Sequence, residues 1–220
     1  DLIGKYLFKN KENNYIEIIE NEKITNMSGM FENCPSIKSL KFENWDMKNV
    51  VNTSSMFYGC SSLVSIDTLK NWEMSDVQRT SDMFSGCSSL NSLEPICDWN
   101  MKNVENVSKM FKNCTKITSI DALKNWKMSN VTEMSGMFQG CSSLKTIDAL
   151  KNWDISKVNN LSNLFAGCVN LVSIDPLKNW EIKIVETTSS MFSGCANITS
   201  IEPLKNWKFL KVADTNNMFS

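Results

Sequence analysis

The sequence predicts an α/β repeat fold: a solenoid of about seven stacked 27-residue units with short parallel strands and short helical turns. Three periodic columns carry that reading. Cys34, Cys60, Cys87, Cys114, Cys141, Cys168 and Cys195 recur every 27 residues after a first step of 26. Trp45, Trp72, Trp99, Trp126, Trp153, Trp180 and Trp207 keep the same beat. So do eight phenylalanines: Phe31, Phe57, Phe84, Phe111, Phe138, Phe165, Phe192 and Phe219.

Residues 1–23 precede the array and read as an N-terminal cap, whose last strand, around Ile16, Ile18 and Ile19, covers the open core. Residues 24–220 form the solenoid, which stops in mid-repeat at Ser220. That open end predicts that Leu204, Phe209, Val212 and Phe219 pack on one side only, leaving an end coil able to pair with another chain.

Within a unit, apolar positions such as Leu144, Ile147 and Leu150 suit a short strand and its turn facing a core. Gly or Asn precedes every periodic cysteine, from Asn33 to Gly194, as expected of a left-handed cap on a short helical turn. Ser28, Ser54, Ser81, Ser108, Ser135, Ser162 and Ser189 are placed to N-cap the turn that contains Met-Phe. Asn or Asp precedes every tryptophan, which predicts a ladder of stacked side-chain amides. All 13 methionines fall on periodic positions and are core filler. A lone unit buries too little apolar surface to offset the ordering of its backbone, so neighbours must stack.

The unit resembles the repeat of the BspA-like leucine-rich-repeat surface proteins, of the type NW-D-M-S-N-V-x-x-M-x-x-M-F-x-G-C-S-S-L. The matching stretches are "NWEMSDVQRTSDMFSGCSSL" from Asn71 and "NWKMSNVTEMSGMFQGCSSL" from Asn125, and the resemblance runs from about Ile24 to Phe219. It implies a leucine-rich-repeat-like solenoid, exposed on a cell surface or secreted, that adheres to host or neighbouring cells. The first unit, one residue short, carries Lys41 where later units have an acid, and the sixth and seventh depart with "EIKIVETTSS" and "KFLKV".

Several function classes are disfavoured directly. The chain has no histidine, which removes the commonest general base and metal ligand. It shows no nucleophile elbow and no glycine-rich phosphate loop, and it is read as non-enzymatic, with no cofactor and no catalytic or metal site. A net charge of −1, from 23 basic and 24 acidic residues, offers no field for nucleic acid. No apolar run is long enough to span a bilayer.

The periodic cysteines are expected to be buried free thiols, with disulfides or metal ligation as the alternatives. Cys97 is off the beat and is the candidate reactive thiol. The acidic column of Asp67, Glu94, Asp121, Asp148, Asp175 and Glu202 reads as turn-openers neutralised by lysines three residues on, over a cation site. The tryptophans read as a packing spine, over binding anchors. Sequons at Asn26, Asn52, Asn106, Asn113, Asn130, Asn160 and Asn197 follow from repetition of the unit and say little of glycosylation.

Candidate ligand contacts are positions where the repeats disagree on an exposed face. One file is Val64, Asn91, Thr118, Lys145, Val172 and Thr199; a second, beside the cap, is Tyr58, Ser85, Lys112 and Gln139. The expected partner is a protein or glycan on another cell or in matrix, with an intracellular scaffold or structural spacer as the alternative.

Overall fold

The computed structural model describes residues 24–41 and 46–220, with two short strands before them. These are β1 (Tyr6–Phe8) and β2 (Ile16–Ile18), which pair antiparallel with Tyr6 opposite Ile18. The remainder of the expected cap, together with Asn44 and Trp45, lies outside the described residues.

From residue 24 onward the chain is a solenoid whose coils stack in register. Parallel bridges link Asn26, Asn52, Arg79, Asn106, Glu133, Asn160, Thr187 and Asp214 in one unbroken column. The coil starting at Asn106 shows how each turn is held. Val107, Lys109, Phe111 and Asn113 donate their N–H groups forward to Glu133, Ser135, Met137 and Gln139 of the next coil, at 2.7–3.0 Å. The alternate donors, Met110, Lys112 and Cys114, close tight turns onto carbonyls three residues back. The Ser108 N–H is taken by Asn106 Oδ1 at 2.9 Å. Every N–H from residue 107 to 114 therefore has a partner, as a buried backbone requires.

This ladder corrects two expectations. The Met-Phe segment is not a helical turn: the described residues contain no α-helix. It is a run of turns in which every fourth residue is left-handed, Lys109 at φ 54° and Asn113 at φ 58°, which aims alternate N–H groups along the solenoid axis. The left-handed position before each cysteine is present in all seven coils, with φ between 55° and 78°. A second left-handed column, Gly29, Ser55, Asp82, Lys109, Gly136, Asn163, Ser190 and Asn217, was not foreseen. The capping side chain sits two residues before the serine: Asn26, Asn52, Asn106 and Asn160 each accept the serine N–H at 2.9–3.0 Å.

The parallel strands expected around residues 144–147 are reduced to one bridge, Ser119 to Thr146. Beyond it the chain turns through six short 3-10 helices: η1 (Asp67–Leu69), η2 (Glu94–Ile96), η3 (Asp121–Asn125), η4 (Asp148–Asn152), η5 (Asp175–Leu177) and η6 (Glu202–Leu204). Asn71, Asn125, Asn152, Asn179 and Asn206 before the tryptophans are exposed, and no amide bond joins one to the next. Among the described residues the expected ladder of side chains is absent there.

One continuous core runs the length of the array. Phenylalanine rings stack from Phe31 to Phe219 with centroids 5.3–5.9 Å apart. Across the core, Trp72, Trp99, Trp126 and Trp153 stack at 6.3–6.5 Å. The backbone ladder pins coils at hydrogen-bond distance, whereas the tryptophan side has few inter-coil bonds.

Candidate binding face

The outer surface of the ladder is built from positions that alternate with the core. In the coil of Arg79, Thr80, Met83, Phe84 and Cys87 point inward, and Arg79, Ser81 and Asp82 are left outside. A rigid backbone thus displays side chains whose identities change from coil to coil. Tyr58 is 39% exposed, Lys112 and Gln139 are half-buried, and Ser85 is buried at 3%. Ser85 therefore leaves the list of contacts: it lies under the surface that Tyr58, Lys112 and Gln139 help to form. Their carbonyls accept ladder bonds from Asn33, Gly86 and Asn113 at 2.7 Å, which fixes the side chains' origins.

Asp82 lies among these residues, close to Lys109, Lys112 and Ser85. Burial pushes its carboxyl up, and this outweighs the opposing pull of the two ammonium groups and the Ser85 hydroxyl. Asp82, Lys109 and Lys112 make a mixed-charge cluster, and Arg79 and Tyr58 are exposed at other positions of the ladder. Sequence reasoning missed Arg79, Asp82 and Lys109, although the disagreement of the repeats at those positions could have marked them.

The second file, Val64, Asn91, Thr118, Lys145, Val172 and Thr199, is exposed throughout. Val64 and Val172 are 46% and 49% exposed, which is unusual for valine beside a filled core. Val64 N–H bonds to Lys38, Lys145 to Thr118 and Thr199 to Val172, so the file stacks in register. It lies beyond the cysteine turn, and the two files form separate strips.

The cysteines are all free. Cys60, Cys87, Cys114, Cys141 and Cys168 are buried, while Cys34 and Cys195 at the ends of the column are half-buried, against the expectation of seven buried thiols. Burial pushes Cys60 and Cys195 up to about 11 and Cys141 up to about 12. Cys97 is half-buried, and desolvation with the Asp98 and Glu94 charges raises it as well. Its surroundings favour the thiol over the nucleophilic thiolate.

The acidic column opens the 3-10 helices, as its position implied, but by different bonds. The hydroxyls of Ser65, Thr146 and Ser173 donate to Asp67, Asp148 and Asp175 at 2.7–3.0 Å, and the acids' own N–H groups return to those hydroxyls. Lys205 pairs with Glu202 at 2.6 Å; no other lysine three residues on makes an ion pair among the described residues. No cluster of three metal-ligating side chains occurs among the described residues. The described tryptophans are at most 7% exposed and serve as the packing spine. No described helix is long and apolar enough to cross a membrane.

The fold has counterparts among known proteins. The chain is similar to the crystal structure of a leucine rich repeat protein of T. pallidum, at 18% identity and a TM-score of 0.50, covering 99% of this chain and 96% of that one. A leucine rich cell surface protein from Faecalibacterium prausnitzii A2-165 matches at 17% identity and a TM-score of 0.29, over 81% of this chain and 64% of that one. No curated protein matches by sequence. The family model described as "Mycoplasma protein of unknown function, DUF285" matches residues 25–145 and 117–220. With its stacked coils and that match running from residue 25 to the end, the chain belongs to the DUF285 family, a BspA-like leucine-rich-repeat family.

Proposed function

We propose that the chain is a non-enzymatic, surface-exposed binding and adhesion module that recognises protein or glycan on another cell or in matrix. The observation that carries this reading is the contrast between an almost invariant scaffold and a variable exposed strip. The interior columns repeat Phe, Cys and Trp with little change, while the outer surface of the ladder runs Tyr58, Arg79, Asp82, Lys109, Lys112 and Gln139. Tyrosine and arginine on a preorganised surface are the residues from which interface hot spots are made. Residues 1–23 serve as the cap of the array and residues 24–220 as the binding solenoid. Cell-surface or secreted placement is supported by the family resemblance. The competing reading, an intracellular scaffold or spacer, is favoured by the free thiols, which suit a reducing compartment.

Beads coated with the purified chain, applied to cultured epithelial cells, test the proposal. Adhesion is expected, and the combined Tyr58→Ala, Arg79→Ala and Lys112→Ala variant is expected to lose most of it while keeping its circular dichroism. The exposed file, with Val64, Asn91, Thr118, Lys145, Val172 and Thr199 all changed to serine, is the second arm. Absence of adhesion by the native chain, or equal adhesion by both folded variants, sinks the reading.

A further inference from the structure

A shallow groove of ≈ 330 Å³ runs across successive coils, lined by Gln78, Asn103, Glu105, Asn130, Thr132 and Lys157. Its walls are two columns of the repeat. Asn103, Asn130 and Lys157 share one position, and Gln78, Glu105 and Thr132 stand two residues further along their coils. The residues between them, Val77, Val104 and Val131, are fully buried. The two polar columns therefore rise on either side of a buried apolar file, and the groove follows the solenoid axis.

The walls are held in place before any ligand arrives. Asn103 Nδ2 donates to the Ser75 carbonyl and Asn130 Nδ2 to the Lys102 carbonyl, both at 2.7 Å. Lys157 Nζ donates to Asn130 Oδ1 at 2.6 Å, linking two coils along one wall. On the other wall, the Glu105 N–H bonds to the Gln78 carbonyl and the Thr132 N–H to the Glu105 carbonyl, and Thr132 Oγ1 adds a bond to that same oxygen at 3.2 Å. Among the described residues, the Gln78 amide and the Glu105 carboxylate, which line the groove, have no protein partner of their own.

The lining selects a chemistry. It presents carboxamides, a hydroxyl, one carboxylate and one ammonium, and no apolar or aromatic side chain. A protein partner would find none of the apolar anchors that supply most interface energy. The opposed charges of Glu105 and Lys157 leave no net field to favour an anion or a cation. A ligand dense in hydroxyl groups can use the donors and acceptors that these anchors leave free, on the Gln78 amide, the Glu105 carboxylate and the Lys157 ammonium. We propose that this groove is a carbohydrate subsite that takes a short neutral oligosaccharide lying along the axis, with sugar hydroxyls bridging Gln78 and Glu105 on one wall and Lys157 on the other. The assignment rests on the reading of the chain as a binding module and names a ligand class for a strip distinct from the ladder surface that carries Tyr58.

Titration of the isotopically labelled chain with millimolar cello-, chito- and malto-oligosaccharides, followed by amide and side-chain NMR shifts, tests it. At least one sugar is expected to shift Gln78, Glu105 and Thr132. Gln78→Ala with Glu105→Ala is expected to weaken that sugar about tenfold, equivalent to ~1.4 kcal/mol, and Tyr58→Ala to leave it unchanged. These substitutions spare Asn103 and Asn130, whose amides close the coil turns. Shifts confined to other surfaces, no shifts with any of the three sugars, or tighter binding of a neutral Gly-Ser peptide in the same groove overturns the proposal. Epithelial adhesion that depends on Tyr58 alongside a silent groove would sink the subsite and leave the module standing.

Discussion

The Cys141 thiol donates to the Phe111 carbonyl of the preceding coil at 3.1 Å, and that oxygen also accepts the Cys114 N–H at 3.1 Å. The arrangement repeats with Cys87, Cys114, Cys168 and Cys195 on Phe57, Phe84, Phe138 and Phe165, and the Cys60 thiol donates likewise to the Phe31 carbonyl. The tryptophans do the same across the core: Trp126 Nε1 reaches the Ile96 carbonyl at 3.0 Å, and that oxygen takes the Trp99 N–H as well. From the coil of Cys87 and Trp99 to that of Cys195 and Trp207, each coil thus places one small and one large donor on the second lone pair of its neighbour's turn carbonyls.

The thiol column makes the array sensitive to alkali. Cys141 has its pKa raised from 9.0 to about 12, so the folded state holds its proton more tightly than the unfolded chain. Between those values the unfolded state loses the proton first, and stability falls as pH rises, by at most ~1.4 kcal/mol per pH unit for each such thiol. Chemical denaturation from pH 8 to 11 should show a steepening loss, with a shallower slope in Cys141→Ala. Equal slopes would mean that the thiols contribute nothing.

Native thiol titration at pH 8 should label Cys97 and Cys34 first and Cys195 slowly, with the five buried cysteines reacting only after denaturation. Eight rapidly reacting groups would contradict the packing of the column.

Gly140 has φ 72°, and a Cβ there would overlap Asn113 Oδ1 of the preceding coil. At Gly167, also left-handed at φ 76°, the nearest atom to such a Cβ is the Gly140 Cα at 3.5 Å. Gly167→Ala should cost about 1–2 kcal/mol from backbone strain alone, and Gly140→Ala more. Adding Asn113→Gly should recover the excess at Gly140. Urea melts of the four variants measure that coupling directly.

Asp82→Asn should stabilise the fold at neutral pH. Burial raises the native pKa of Asp82, so the ionised form opposes folding above that pKa and the protonated form does not below it. Asparagine keeps the shape and tolerates the φ of 56° at this position. The gain in Tm should be present at pH 7 and shrink toward pH 3; a loss at pH 7 would show that the Lys109 and Lys112 attractions win.

Hydrogen exchange should be slowest from about residue 60 to 175 and fastest after about residue 204. Ile201, Phe209 and Phe219 are 46–58% exposed in the last coil, while the same columns are buried in the interior. Coil stability is largely a nearest-neighbour quantity. Protection at Trp207 equal to that at Trp126 in a monomer would refute the gradient.

The sequence by itself determined the period, the stacking and the contents of the core. Phe, Cys and Trp at a fixed interval have one physical use, since identical side chains in register can fill a continuous interior only if the coils pile on one another. Local chemistry misled where it was ambiguous. Ser-x-Met-Phe-x-Gly reads as a capped helical turn because its polar and left-handed residues suit one, and nothing within 27 residues says otherwise. The tertiary structure decided that segment, because Lys109 and Asn113 can send their N–H groups to Ser135 and Gln139 only when the next coil is present to receive them. The burial of Ser85 and the groove between Gln78 and Lys157 belong to the same class. Each depends on how far apart neighbouring coils settle, and that distance is set by hydrogen bonds between residues 26 or 27 positions apart, which no local pattern encodes.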